Sequence, residues 1–540
     1  DSAHPWRVGQ DLGRRPPNGP GGIEYAYGER SAKTNRASVR GRDRMTINWH
    51  QRAAALDLDG RAFIDGARVW AADGRTFSSV SPIGGLVLTE VARCSGQDVD
   101  LAVEASRRAF ADGRWSHQSP KARKQVMVRF ADLMETHRDE LALIETLDMG
   151  KPIRYSLAVD VPAAANCIRW YGEAIDKIYD QIAPTSNDAL ALMTREPIGV
   201  VSAIVPWNYP MLMAAWKIGP ALAAGNSVIL KPSEKSPLTA MRLAELAQMA
   251  GLPDGVLNVV PGYGAEAGEP LSLHLDVDCI GFTGSTAIGK RIAENAGKSN
   301  LKRAWTELGG KSPFLILKDA DIEAATKACA NSIFFNQGES CNAPSRLIVD
   351  ASIKDEVIAC LKTLAPSFAP KDPLDPQSIM GAIVDQVQLS RVMGLIAQGQ
   401  EEGASLVAGG DQVMQETGGY YVNPTIFSGV SSQMCIAREE IFGPVLSIME
   451  AASLDEAVAI ANDTDYGLAA SVWTKNIDRA ITVSRRIRAG TVHVNSYDED
   501  DITVPFGGYK QSGNGRDKSL HALEKYTELK TTWIRIGDGA

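Results

Sequence analysis

Gly199-Val200-Val201-Ser202-Ala203-Ile204-Val205 is a β-branched, apolar run that reads as a strand, and Met211 to Ala224 behind it reads as a helix. Ser227-Val228-Ile229-Leu230-Lys231 repeats the strand pattern and Pro237 to Ala250 the helical one. Leu257-Asn258-Val259-Val260 and Cys279-Ile280-Gly281-Phe282 are further strands, and Ile288 to Ala296 is another helix. Strands at this spacing, separated by helices, predict right-handed βαβ units, a parallel sheet and an α/β fold class.

A second alternating series starts after Lys311. Phe314-Leu315-Ile316-Leu317, Arg346-Leu347-Ile348-Val349, Val445-Leu446-Ser447-Ile448, Ala470-Ser471-Val472-Trp473 and Thr491-Val492-His493-Val494 read as strands. Ile322 to Phe334, Ile353 to Ala365 and Asp455 to Asn462 read as helices, which predicts a second α/β unit. Asp98 through about Lys177 reads as helical, with Ser119-Pro120 as N-cap and first helical residue. Leu190 to Arg195 and Thr531 to Ile536 have little core of their own and predict a projecting sheet. Its open edges would be covered by pairing across a subunit contact.

The chain has 540 residues, 44% of them apolar, which suffices for several buried cores. No apolar run approaches the roughly 20 residues that cross a bilayer, so no membrane association is expected. A net charge of −9 argues against a nucleic-acid partner. Residues 1–44 differ, with nine Lys and Arg against five Asp and Glu and a Gly/Pro-rich stretch from Arg14 to Gly22. They are expected to be a disordered tail, the functional chain beginning near Met45. An organelle leader is the alternative, weakened by the five acids. The seven cysteines show no CxxC and the seven histidines no ligand spacing, so reduced thiols, a cytoplasmic location and no metal are expected.

Five segments carry the chemistry. Phe282-Thr283-Gly284-Ser285-Thr286-Ala287-Ile288-Gly289 joins a strand to a helix, where glycines admit a phosphate to free N–H groups. It is not GxGxxG, and a βα turn with no ligand fits as well. Lys231-Pro232-Ser233-Glu234 adds an acid after the second strand, placed to hold ribose hydroxyls and to repel a 2′-phosphate; a solvated Lys/Glu pair is the alternative. Together they favour a nicotinamide dinucleotide, NAD ahead of NADP. Val205-Pro206-Trp207-Asn208-Tyr209-Pro210 offers an amide to an oxyanion, or is a turn with packed aromatics. Cys341, in the polar turn Gln337-Gly338-Glu339-Ser340-Cys341-Asn342, is a nucleophile or a small buried hydrophobe, and Glu307 in Glu307-Leu308-Gly309-Gly310-Lys311 is a carboxylate able to activate water.

These segments, with Glu440-Ile441-Phe442-Gly443-Pro444-Val445 and Pro505-Phe506-Gly507-Gly508, occur in an order and spacing that resemble the NAD(P)-dependent aldehyde dehydrogenase superfamily over residues 47 to 536. The ending Lys510 to His521 and the run Met211 to Pro220 look most like bacterial enzymes that oxidise aminoaldehydes of polyamine breakdown, notably γ-glutamyl-γ-aminobutyraldehyde. The resemblance implies an NAD-binding Rossmann-type domain over 45–178 and 198–309, a catalytic α/β domain over 310–519, and a bridging oligomerisation segment over 179–197 and 520–540 that makes homodimers or homotetramers. It implies that the Cys341 thiolate attacks the aldehyde, that the Asn208 amide and Cys341 N–H hold the oxyanion, and that Lys217 supports Asn208 and Glu307. Hydride then passes to nicotinamide C4, and water deprotonated by Glu307 releases the acid. Ile204, Pro206, Trp207, Lys231, Glu234, Gly264, Phe282, Gly284, Ser285, Leu308, Glu440 and Phe442 are the implied cofactor contacts. Met213 and Ser340 join Tyr209, Trp216 and Phe506 at the substrate.

One departure bears on substrate. Glu339 stands where many relatives carry Gln, and Asp498-Glu499-Asp500-Asp501 follows Tyr497. Glu339, Asp500 and Asp160 are expected to form a negative tunnel for an ammonium group, a solvated charge run being the alternative. Glu339 is also expected to raise the Cys341 pKa. Other readings are a broad aliphatic or betaine aldehyde dehydrogenase, or a catalytically silent binding relative.

Overall fold

A computed structural model describes residues 47–499 and 501–537. The tail 1–44 and Asp500 lie outside the described residues.

Seven strands make the first sheet: β1 (Ala62–Ile64), β2 (Ala67–Val69), β3 (Val200–Ile204), β4 (Ser227–Lys231), β5 (Leu257–Val259), β6 (Cys279–Thr283) and β7 (Arg303–Glu307). Their order is β7-β6-β3-β4-β5-β1-β2, parallel from β7 to β5, with the β1–β2 hairpin antiparallel at one edge. Alternation decides the packing: Val201, Ala203, Val228 and Leu230 join one core cluster, while Val200, Ile204, Ile229, Ile280 and Phe282 join another on the opposite face. The helices Pro120–Thr136, Arg138–Met149, Val161–Ala174 and Pro210–Ala224 contribute to the first cluster. Ser119 caps the first of these, accepting from Ala122 N, as its sequence predicts.

The chain leaves β3 for β4 and β5 on one side and returns to β6 and β7 on the other. The strand order therefore reverses beside β3, and the carboxyl ends of β3 and β6 flank a topological switch point.

The second sheet contains β8 (Pro313–Ile316), β9 (Arg346–Asp350), β10 (Ser405–Ala408), β11 (Thr425–Ser428), β12 (Val445–Ala451), β13 (Ala469–Trp473) and β14 (Thr491–Val494), in the order β10-β11-β12-β9-β8-β13-β14. All neighbours are parallel except β10 and β11. Leu315, Ile348 and Val472 face one core cluster, and Phe314, Leu347 and Trp473 the other. Since β7 ends at Glu307 and β8 begins at Pro313, Gly309-Gly310-Lys311 carries the chain from the carboxyl edge of the first sheet to the amino edge of the second. Cys341 lies on that amino edge, just before β9.

The predicted projecting sheet consists of Thr527–Arg535, Ala189–Pro197 and Gln181–Ala183, all antiparallel. Leu529, Trp533 and Ile534 on it are exposed, whereas Ala522, Leu523 and Tyr526 just before it are buried in the first core. The strands before Asp98 went unread in the sequence: β1 and β2 are three residues each, and the hairpin Thr76–Val80 with Val87–Ala92 mixes Ser and Thr with its apolar residues.

Candidate active site

The turn that presents Cys341 is wound left-handed. After the helix Ile322–Phe334, Asn336 (φ 49°, ψ 38°), Gln337 (φ 57°, ψ 23°) and Gly338 (φ 72°) follow one another in the left-handed region. That costs about 1–2 kcal/mol for each residue with a Cβ, so neighbouring structure must hold it. Asn336 Nδ2 donates to the carbonyls of Asn208 (3.0 Å) and Glu339 (3.1 Å), and Asn208 Nδ2 donates to the same Glu339 carbonyl at 2.9 Å. Gln337 donates to Ala382 O (3.1 Å) and accepts from Gly381 N (3.2 Å). Gly338 lies against the Gly443 carbonyl, where a Cβ would overlap it. On either side of the thiol, Ser340 Oγ meets Tyr209 Oη at 2.6 Å, and Asn342 donates to Asp498 (2.8 Å) while its carbonyl accepts from Tyr497 Oη (2.5 Å).

Cys341 itself is half-buried. Burial pushes its thiol well above the ordinary range, and the Glu307 and Glu440 carboxylates push it further. Two expectations are corrected here. The surroundings do not favour a resting thiolate, and the acids that disfavour it are Glu307 and Glu440 rather than Glu339, whose carboxyl turns to Val384 N at 3.0 Å.

Glu307 closes β7, and both of its carboxylate oxygens are buried without a hydrogen-bond partner. Burial raises its pKa well above 4.5, the Asp517 carboxylate adds to this, and Lys217 and Lys525 oppose it. Lys217 acts electrostatically on Glu307, as expected, but its ion pair is with another group. Its Nζ is bound to Asp517 Oδ2 at 2.5 Å, and Lys525 closes on Asp517 Oδ1. Burial alone would raise Asp517, but the two ammonium groups overcome it and hold the carboxylate charged. Lys217 thus acts on Glu307 through space and, by its ion pair, holds Asp517 rather than Asn208.

The sequence-derived cofactor residues converge on the switch point. Ile204 ends β3, Pro206 and Trp207 follow it, Lys231 ends β4, and Phe282, Gly284 and Ser285 span the end of β6 and the N-cap of the helix Thr286–Lys298. Ser285 accepts from Ile288 N there. Lys231 Nζ donates to Pro232 O (2.7 Å) and stands 3.8 Å from Glu234, while Gly268, closing the turn Gly264–Gly268, packs on the Lys231 stem. Leu308 packs on Gly289, where a Cβ would overlap it. Trp207 and Phe442 meet edge to face at 5.2 Å. Phe442 is itself left-handed (φ 58°) and is held by Gln388 Nε2 on its carbonyl at 2.8 Å. Glu440 Oε1 accepts from Gly310 N at 2.9 Å, and burial lifts its pKa to about 7. A crevice at the carboxyl ends of parallel strands, with an open helix N-terminus and the buried, unpartnered Thr283 Oγ1, fits a dinucleotide.

On the substrate side, Trp216 and Phe506 meet at 5.2 Å, and Met213 is buried on the helix that carries Trp216. Lys518 Nζ lies 5.6 Å from the Trp216 ring and 5.8 Å from that of Phe506. The negative tunnel is corrected at Asp160 and Glu339, Asp500 lying outside the described residues. Both carboxylate oxygens of Asp160 accept from Lys151 Nζ at 2.9 Å, while the Glu339 carboxyl turns away to Val384 N and burial raises its pKa well above the ordinary carboxylate range. Asp498 and Asp501 are engaged by Asn342 and Thr503. An ammonium group would therefore meet Asp160 already paired with Lys151.

The sequence reading missed Asn336, Lys151, Asp517 and Lys525. Asn336 precedes the Gln337-Gly338 turn and was legible as a turn residue. The other three are charges whose partners are distant in sequence or come from another element, so nothing local marked them. Among the described residues no group of three or more His, Cys, Asp or Glu is placed to hold a metal ion, and no helix is long and apolar enough to cross a membrane.

Residues 70–532 match the family described as the aldehyde dehydrogenase family. The chain is 52% identical over 489 residues to the NADP/NAD-dependent aldehyde dehydrogenase PuuC of Escherichia coli K12, covering 90% of this chain and 98% of that protein. A solved γ-glutamyl-γ-aminobutyraldehyde dehydrogenase from Burkholderia cenocepacia superposes with a TM-score of 0.89 at 60% identity, covering 91% and 99%. An indole-3-acetaldehyde dehydrogenase solved with NAD+ gives 0.90 at 57%, covering 90% and 99%.

Proposed function

The chain belongs to the aldehyde dehydrogenase family, and from that premise we propose that it oxidises an aminoaldehyde such as γ-glutamyl-γ-aminobutyraldehyde to its carboxylate, with Cys341 as nucleophile. The observation that carries the chemistry is Glu307, a carboxyl buried without hydrogen-bond partners and close enough to the Cys341 thiol to raise its pKa. A buried acceptor of that kind is stable in the fold only if something else, here a reacting water, can meet it.

In this reading the Cys341 sulfur bonds to the carbonyl carbon and its proton is lost. Because the thiol is held high, Glu307 is the group that takes that proton. The oxyanion is met by the Asn208 amide, one N–H of which already fixes the Glu339 carbonyl, and by the Cys341 N–H. NAD, or NADP, supplies the hydride acceptor when bound. Pro206, Trp207, Lys231, Glu234 and Ser285 would hold its adenosine and phosphates, and Glu440 and Phe442 its nicotinamide ribose. Once Glu307 has passed the thiol's proton on to solvent, it takes a proton from the water that attacks the Cys341 thioester; the acid is released, and the expelled sulfur recovers that proton. Asn336 and Gln337 keep the turn wound throughout.

The domain division, 45–178 with 198–309 for cofactor, 310–519 for catalysis, and 179–197 with 520–540 for bridging, is proposed with it. The exposed Trp533, Ile534 and Leu529 support assembly into dimers or tetramers. Seven cysteines outside any disulfide support a cytoplasmic setting.

NADH formation with γ-glutamyl-γ-aminobutyraldehyde, 3-aminopropanal, betaine aldehyde, hexanal and indole-3-acetaldehyde tests the substrate. The highest kcat/KM is expected for the first, and a preference for hexanal would overturn the aminoaldehyde assignment. Turnover surviving in Cys341→Ser would overturn the mechanism.

A further inference from the structure

Lys151 is fully buried in the segment that follows the helix Arg138–Met149, far in sequence from Cys341. Its ammonium sits 2.9 Å from both carboxylate oxygens of Asp160. It also stands 3.9 Å from the centroid of the Tyr209 ring. Tyr209 in turn places its hydroxyl 2.6 Å from Ser340 Oγ, next to the thiol. Asp160 fixes the cation, the cation fixes the ring, and the ring fixes the turn.

We propose that Lys151 is a positioning residue for the nucleophile: seated by Asp160 against the face of Tyr209, it holds the Tyr209 hydroxyl on Ser340 and so keeps Cys341 presented from its left-handed turn. This rests on Cys341 being the nucleophile. An ammonium desolvated over a tyrosine ring is attracted to its face, which holds the ring in place. Gln337 is tied to Gly381 and Ala382 before the thiol and Asn342 to Asp498 and Tyr497 after it, and the Tyr209–Ser340 contact is the side-chain tie at the residue between them. Asn208 and Asn336 hold only the Glu339 carbonyl, so without the Tyr209 contact the side chain of Ser340 loses its tie. Glu145, the third ionisable group of the cluster, has its pKa lifted to about 8 by burial.

Removing one member would strand a buried charge, so the test removes both. In Lys151→Met/Asp160→Asn, a melting temperature near wild type establishes folding. Second-order alkylation of Cys341 by iodoacetamide, read by peptide mass in the cofactor-free protein, is then expected to slow by about tenfold, with kcat falling and KM nearly unchanged. Adding Tyr209→Phe to that variant should cost no further rate, because both act through one contact. Lys151→Arg should restore part of the loss. Alkylation at the wild-type rate or faster in the folded variant, or costs that multiply when Tyr209→Phe is added, would overturn the proposal. If the paired variant does not fold, Tyr209→Phe and Ser340→Ala take its place: each must slow alkylation and together no more than the larger alone, and independent effects refute it. Cys341→Ser keeps the two claims apart, because turnover without the thiol sinks the mechanism whatever the alkylation rates show.

Discussion

Gly310 lies so close to the carbonyl of Cys341 that a Cβ on it would overlap the carbonyl oxygen. Three residues after Glu307, it sets how near the two reacting groups stand. Gly310 N also donates to Glu440, so backbone motion there disturbs both edges of the site.

Gly310→Ala should therefore push the nucleophile turn away while leaving the cores of the two sheets intact. A shift of about 1 Å at a reacting centre costs roughly a hundredfold in rate. We expect kcat to fall by that order, with a melting temperature within a few degrees of wild type, read by NADH formation and by calorimetry. A kcat within twofold of wild type would mean that the turn does not depend on this approach.

The central strands of both sheets were legible because β-branched runs such as Gly199 to Val205 and Ser227 to Lys231 are buried on both faces and stand apart from the helices between them, whereas β7, β10 and β11 were not read. What the sequence did not carry was pairing. Asp160 was read as a free acid because its partner Lys151 lies in another element, and Lys217 was assigned to Asn208 because Asp517 lies 300 residues on. Glu339 was read as an acid lining the substrate tunnel because nothing local shows that its carboxyl is enclosed and turned to Val384. The nucleophile, the buried base and the amide were recognisable as motifs; their electrostatics depend on contacts that only the folded chain brings together.

Asp517 holds two buried ammonium groups, so its loss should cost more than the loss of either lysine. Lys217→Met leaves the carboxylate paired with Lys525. Asp517→Asn leaves two lysines facing each other without a counter-charge, a fault worth about 3–5 kcal/mol. Urea denaturation should rank Asp517→Asn well below Lys217→Met, and equal costs would show that Lys525 does not share the carboxylate. Because the folded Asp517 is held below its unfolded value, its stabilisation is present above about pH 4 and is lost as pH falls below that value toward its folded pKa.

Glu440 raises the Cys341 thiol only when ionised, and its own pKa stands at about 7. Removing the charge should then matter on one side of that value alone. In Glu440→Gln, iodoacetamide should alkylate Cys341 at the wild-type rate near pH 6 and faster than wild type near pH 8.5, where the native carboxylate repels the thiolate. A rate difference of the same size at both pH values would mark a structural effect of the lost Gly310 contact instead.

Glu234 stands beside the buried Lys231 at 3.8 Å and is one-third exposed at the crevice. An acid there accepts from ribose hydroxyls and repels a 2′-phosphate, and that repulsion is the only barrier it offers to NADP. Glu234→Ser removes the repulsion and leaves Lys231, whose ammonium burial makes easier to neutralise, without its nearby counter-charge. The lysine then gains from a phosphate what it loses in the carboxylate. We expect kcat/KM for NAD to fall about tenfold and that for NADP to rise or hold, a combined change in preference of more than about 1.4 kcal/mol. The ratio is read from initial rates with each cofactor at one saturating aldehyde concentration. Loss of both cofactors in proportion would show that Glu234 only positions Lys231 and takes no part in discrimination.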